Sequence, residues 1–193
     1  MHKNSTLTAV FRPYQKVQAG FYDVALLLAG SFFIALCAQV TVWLPFSPVP
    51  VTGQTFAVLV TGAALGSRRG SLCVLTYLAE GLAGLPVFAS ARAGLPILFG
   101  PTGGYLFGFV AAAYITGLLA ENGWDRQIWS TMLAMTFGLI AIYTFGLVWL
   151  FGFLGNNNLF VLGLYPFIAG EVVKIFLAAV ILPSVWKLIG NLS

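Results

Sequence analysis

In a chain of 193 residues, 60% are apolar, only 7% are charged, and the mean hydropathy is +0.96. A soluble domain carries about 25% charged residues, so this composition excludes a water-facing surface and leaves an all-α integral membrane protein, one transmembrane domain over residues 1–193. The net charge of +4 comes from basic residues scattered singly or in pairs, which excludes a nucleic-acid patch.

In chain order, residues 1–21 are polar and basic. They lack the short apolar core and small-residue cleavage site of a secretory signal, so no removable leader is expected. Crossing about 30 Å of hydrocarbon takes about 20 residues, fewer when neighbours shield the helix. Six spans are expected, over 22–44, 54–67, 70–88, 101–120, 127–152 and 162–189. The second, QTFAVLVTGAALGS, is short and rich in small residues, as a span shielded by other helices would be. No sustained period-2 alternation supports a membrane barrel.

Six crossings place both termini on one side. Lys3, Arg12, Lys16, Arg68, Arg69, Arg126 and Lys187 share it, and only Arg92 lies opposite. By the positive-inside rule both termini are cytoplasmic. Trp43, Trp124, Trp129, Trp149 and Trp186 fall at span ends, where an aromatic belt belongs. Cys37 and Cys73 sit inside spans near opposite faces, so they read as small hydrophobes without a disulfide.

Three charges remain inside spans: Glu80, Glu171 and Lys174. Each costs about 2.5–3.5 kcal/mol or more at the bilayer centre when unpaired. Glu171 and Lys174, in GEVVK at 170–174, are three apart and share one helix face. Counted down the sixth span they lie about 14 Å and about 18 Å deep. An ion pair pinning helices together would explain them, and so would a solute site, which intramembrane ionisable residues more often mark. For Glu80, a plain interhelical hydrogen-bond role and a functional one stand level.

The loop after the first span, WLPFSPVPVTGQT, carries three prolines and no charge. This suggests an ordered, extended cover over the outer mouth, with Thr52 and Gln54 offering hydrogen bonds. Residues 84–109 are Gly-rich and contain Arg92 and GPTGGY. GPTGGY lacks the Lys and Ser/Thr of a phosphate loop. No catalytic motif or metal-ligand cluster is present, and the single histidine is His2, so neither an enzyme nor a cofactor is expected. Small residues four apart at Ala25/Ala29, Gly62/Gly66 and Gly104/Gly108 permit close helix approach, within the fold or against a partner.

Together and in order, PVPVTGQT (48–55), GLPVF (84–88), GPTGGYLFGF (100–109) and GEVVK (170–174) resemble the hallmark segments of the BioY family. These are the biotin-specific substrate-binding (S) components of energy-coupling factor (ECF) transporters. The resemblance runs from about residue 25 to the end of the chain. It implies a six-helix S-component bundle in the cell membrane, biotin bound beneath the first outer loop, and partnership with a transmembrane coupling subunit and a pair of cytoplasmic ATPases. It also implies coupling-subunit contact at Ala25 and Ala29, and ligand contacts at Glu171, Lys174, Gln54 and the Gly-rich loop around Arg92. The chain departs from the pattern at Glu171, where Asp is common, at Leu106, where some members have Arg, and at Arg92, where others have Asn or Gly.

Biotin carries two ureido N–H donors, a carbonyl acceptor, a thioether ring and an aliphatic tail ending in a carboxylate. Its pocket needs acceptors, donors and apolar walls. Glu171 supplies acceptors; Lys174, Gln54, Thr52 and Arg92 supply donors; Tyr77, Tyr105, Tyr165 and Phe88 are candidate walls. The expected pose puts the ureido end at Glu171 and Lys174, and the carboxylate at Arg92 or the first loop. The reverse pose stays open. The competing function is a self-sufficient secondary transporter or channel that uses Glu80, Glu171 and Lys174 as a relay, although inverted halves are not evident.

Overall fold

The computed structural model describes residues 6–156 and 158–190. His2 and Lys3 lie outside the described residues. The helices are α1 (Leu7–Val10), α2 (Lys16–Gln39), α3 (Gln54–Leu65), α4 (Ser67–Leu82), α5 (Leu95–Leu98), α6 (Gly103–Glu121), α7 (Ile128–Leu154), α8 (Leu159–Gly163) and α9 (Tyr165–Gly190). Between α2 and α3 a small antiparallel hairpin pairs β1 (Thr41–Val42) with β2 (Val51–Thr52), in the register Thr41 to Thr52 and Val42 to Val51.

Several expected boundaries move, each for a physical reason. The helix of the first expected span, α2, starts at Lys16 and ends at Gln39, six residues earlier at its start than the apolar run suggested. Polar residues outside the hydrocarbon extend a helix without marking its end. The 1–21 segment is more than a polar tail, because buried Leu7 anchors α1 and Thr8 Oγ1 donates to the Ala64 carbonyl at 3.1 Å. The helix of the third expected span, α4, stops at Leu82, so GLPVF belongs to a loop.

The expectation of six spans that each qualify by length and hydropathy is corrected. Among the described residues four helical stretches are long and apolar enough to cross a membrane: Lys16–Gln39, Gly103–Glu121, Ile128–Leu154 and Leu159–Ile189. Helix α3 is apolar but has only 12 residues. Helix α4 has 16 and carries Arg68, Arg69 and Glu80. Nearly every side chain of α3 is buried, so protein rather than lipid surrounds it and its length need not match the bilayer.

Helix α6 is the central element, packed on α3, α4 and α7. Small residues permit this. A Cβ on Gly62 would stand 2.7 Å from the Ala113 carbonyl oxygen, and one on Gly108 would stand 2.9 Å from Ile142 Cα. The α3–α4 corner needs glycine because Gly66 has φ +89°, a region that side chains with a Cβ avoid. Glu121 at the end of α6 then caps α4, accepting from Ser67 N at 2.8 Å and Ser67 Oγ at 2.9 Å.

The outer faces are apolar. Phe21, Leu28 and Phe32 on α2, Phe137 and Phe145 on α7, and Val172 and Phe176 on α9 all point outward. Exposed apolar area on this scale is what lipid-facing helices require. At one end of the bundle Asp23 binds Arg12 Nη2 at 2.7 Å and Arg69 Nε at 3.1 Å, tying the N-terminal segment, α2 and α4 together.

Candidate functional site

The two halves of the site are brought together by the hairpin. Three prolines, at 45, 48 and 50, keep the connection from continuing as helix. Chain reversal then delivers Gln54 against Tyr77 of α4, and Thr52 and Thr55 against α9. There Glu171 and Lys174, one turn apart, form an ion pair at 2.8 Å with side chains only 7% and 16% exposed.

The pair is embedded in a hydrogen-bonded chain. Lys174 Nζ donates to Glu171 Oε1 at 2.8 Å, to Thr55 Oγ1 at 2.9 Å and to the Thr52 carbonyl at 2.6 Å. An ammonium has three donors, and all three are engaged. Thr55 Oγ1 in turn lies 2.9 Å from Oε1 and 3.0 Å from Oε2 of Glu171. Oε2 is thus the less committed oxygen of the carboxylate. Thr52 Oγ1 donates to Gln54 Oε1 at 3.0 Å, Gln54 Nε2 donates to Tyr77 OH at 2.6 Å, and Tyr77 OH donates to the Val87 carbonyl at 3.1 Å. One continuous network therefore runs from α9 through the hairpin and α4 to the loop after α4.

A partly open cavity lies beside this network. Its polar lining comes from Glu171, Gln54, Thr52, Thr55, Thr102 and Arg92, and its apolar walls include Phe88, Phe109, Tyr105, Tyr143 and Phe167. The aromatic rings brace one another. Tyr105 meets Tyr143 edge-on at 6.0 Å between centroids, and Tyr143 lies 6.3 Å from Phe167. Tyr105 OH donates to the Gly163 carbonyl at 2.7 Å, so its hydroxyl is engaged away from the aromatic cluster.

Of the residues singled out from sequence, Glu171, Gln54, Thr52, Arg92, Tyr105 and Phe88 line this cavity. Lys174 and Tyr77 stand behind the lining and touch it through Glu171 and Gln54. Glu80 is elsewhere, accepting from Ser31 Oγ at 2.9 Å between α4 and α2. Tyr165 is 59% exposed and does not reach the cavity. Ala25 and Ala29 lie on the exposed side of α2. Sequence reasoning missed Thr55 and Tyr143. Thr55 closes the PVPVTGQT segment and could have been found there. Tyr143 sits in an apolar, aromatic-rich helix with no local signal.

The predicted aromatic belt also resolves into specific contacts. Trp149 Nε1 donates to the Gly100 carbonyl at 3.0 Å, Trp186 Nε1 to Asp125 Oδ2 at 2.6 Å, and Trp43 Nε1 to Ser90 Oγ at 2.9 Å. Cys37 and Cys73 are both free thiols.

An all-α bundle with lipid-facing helices around a largely apolar cavity that carries a few polar groups defines a multi-pass membrane protein of the S-component type. Among solved structures, the S-component for biotin from an ECF-type ABC transporter superposes with a TM-score of 0.77 at 26% identity, over 91% of this chain and 95% of that one. A probable biotin transporter BioY of Pyrococcus horikoshii is 40% identical over 154 residues, 78% of this chain and 90% of its own length. The biotin transporter BioY of Thermotoga maritima is 37% identical over 166 residues, 84% of this chain and 96% of its own. The profile of the BioY family matches residues 8–191. The chain belongs to the BioY family.

Proposed function

We propose that this protein captures biotin in the membrane and passes it to an ATP-driven ECF module made of a coupling subunit and an ATPase pair. The observation that carries this reading is the cavity itself. A buried carboxylate, Glu171, stands at one place on an otherwise aromatic wall, and a guanidinium, Arg92, stands at another. Biotin presents complementary chemistry at its two ends, with an apolar body between them.

In this reading Glu171 Oε2 accepts from the ureido N–H groups. Lys174 and Thr55 hold the Glu171 side chain in place, Gln54 offers its remaining amide N–H, and the tyrosines and phenylalanines enclose the rings. Arg92 takes the tail carboxylate. A guanidinium suits this because two parallel N–H bonds match two carboxylate oxygens.

The reading also takes α2, α3, α4, α6, α7 and α9 as six crossings with cytoplasmic termini, on the strength of the basic-residue asymmetry. It places the coupling subunit against Ala25 and Ala29 on α2. Exposed small residues at that spacing allow a partner helix to approach closely.

Isothermal titration of the purified protein in detergent tests the proposal. Biotin should bind without nucleotide or a pH gradient, and more tightly than desthiobiotin or lipoate. Absence of biotin binding, or uptake into liposomes that needs a proton gradient and no partner, would replace this reading with a self-sufficient transporter.

A further inference from the structure

Arg92 is held from two sides at the cavity mouth. Its guanidinium carbon lies 4.5 Å from the centroid of the Trp43 ring, and the residue also lines the cavity. Its Nε donates to the Ala89 carbonyl at 3.3 Å, which leaves the two terminal nitrogens without a hydrogen-bond partner among the described residues. Guanidinium groups stack well on aromatic faces because they are planar and weakly hydrated.

The backbone that carries Arg92 is unusual. Ser90 and Ala91 both have left-handed φ, +60° and +54°, in a stretch where Phe88 N donates to the Arg92 carbonyl at 3.0 Å. Such conformations persist in residues with a Cβ only when the surroundings enforce them. The enforcement comes from across the mouth. Gln39 clasps the turn, its Oε1 accepting from Ala91 N at 2.9 Å and its Nε2 donating to the Phe88 carbonyl at 3.3 Å. Trp43, just after β1, adds its Nε1 bond to Ser90 Oγ at 2.9 Å. One indole thus anchors the turn with its edge and supports the guanidinium with its face.

We propose that Trp43 is a positioning residue for Arg92: its ring face holds the guanidinium at the mouth with both terminal nitrogens presented to an incoming carboxylate, so that Trp43 sets the preference for the free acid over neutral analogues. The inference rests on the reading of Arg92 as the carboxylate partner. It assigns the two parts of the indole separate tasks. The edge maintains the loop, and the face selects for charge.

The test measures biotin and biotin methyl ester affinities for a set of purified variants. An exposed cation–π contact contributes about 0.5–1 kcal/mol, so Trp43→Ala should weaken biotin about two- to fivefold and leave the ester unchanged. Trp43→Phe should retain the preference for the acid, and Ser90→Ala, which keeps the face and removes the edge contact, should retain it too. In an Arg92→Ala background, Trp43→Ala should add nothing. If Trp43→Ala proves poorly folded, Trp43→Leu replaces it with the same expectations. Equal weakening of acid and ester, or no change in either, overturns the positioning role while Arg92→Ala still lowers the acid-to-ester ratio. If Arg92→Ala leaves that ratio untouched, the carboxylate assignment itself fails and the role of Trp43 falls with it.

Discussion

Lys174 Nζ sits 2.8 Å from Glu171 Oε1 and turns its other two N–H groups to Thr55 Oγ1 and the Thr52 carbonyl. With no donor left over, the lysine acts on a ligand through the carboxylate that it neutralises. Removing one member of a buried ion pair costs about 3–5 kcal/mol because the other charge is stranded. Lys174→Met should therefore lower the thermal stability sharply and weaken biotin and its methyl ester alike. The double variant Glu171→Gln/Lys174→Met should recover most of the stability without recovering binding. Melting curves in detergent and ligand titration separate the two effects. Loss confined to the free acid would instead move Lys174 to the carboxylate end.

Tyr77 is fully buried and links Gln54 Nε2 to the Val87 carbonyl. Tyr77→Phe leaves the buried Gln54 amide donor unpaired, costing about 1–3 kcal/mol, and frees the half-buried Val87 carbonyl. We expect a lower melting temperature together with weaker biotin binding, because Gln54 loses the partner that fixes its amide. Unchanged affinity in a destabilised variant would show that Gln54 needs no such orientation.

The α6–α7 contact depends on Gly104, whose added Cβ would overlap Trp149 Cβ and approach the Phe145 carbonyl oxygen. Overpacking of this kind costs about 1–3 kcal/mol, so Gly104→Ala should reduce thermal stability. Gly20 has open space around it, and Gly20→Ala should be neutral or stabilising through its helix propensity. Paired melting curves check the contrast.

Asp125 lies in the connection between α6 and α7, 1% exposed, with Trp186 Nε1 at 2.6 Å. Burial pushes its carboxyl up from the ordinary 3.8, against the opposing influence of the Trp186 bond, a backbone N–H and the Arg126 charge. The native protein then holds this proton more tightly than the unfolded chain does. Its contribution to stability is complete below the unfolded value and is lost as pH rises through the folded one. Asp125→Asn keeps an acceptor for Trp186 and removes the titration. The melting temperature of this variant relative to the parent should therefore climb as the pH is raised from the ordinary carboxyl value of 3.8 to neutrality. A difference that stays flat across that range counts against the buried-acid account.

Much of the cavity was legible in the sequence because intramembrane polarity is rare enough to stand out. Glu171, Gln54, Thr52 and Arg92 were each conspicuous against an apolar or proline-rich background, and all four line one space. Glu80 was equally conspicuous and is not there. On α4 it faces Ser31 of α2, and composition contains nothing that tells one helix face from another when both are apolar. The same ambiguity attended the small-residue pairs. Gly62, Gly104 and Gly108 are spacers inside the bundle, whereas Ala25 and Ala29 look outward, although the spacing is identical.

By itself the chain's composition determined a helical membrane protein, its charge-bearing positions and the segments that mark its family, because water and hydrocarbon sort residues by simple transfer free energy. Tertiary structure alone decided that Lys174 stands behind Glu171 rather than in the cavity, that Tyr143 forms a wall, and that Trp43 meets Arg92. Those outcomes depend on which helix faces oppose each other and how loops cross the mouth. Contacts between residues 38 or more positions apart leave no imprint on local periodicity.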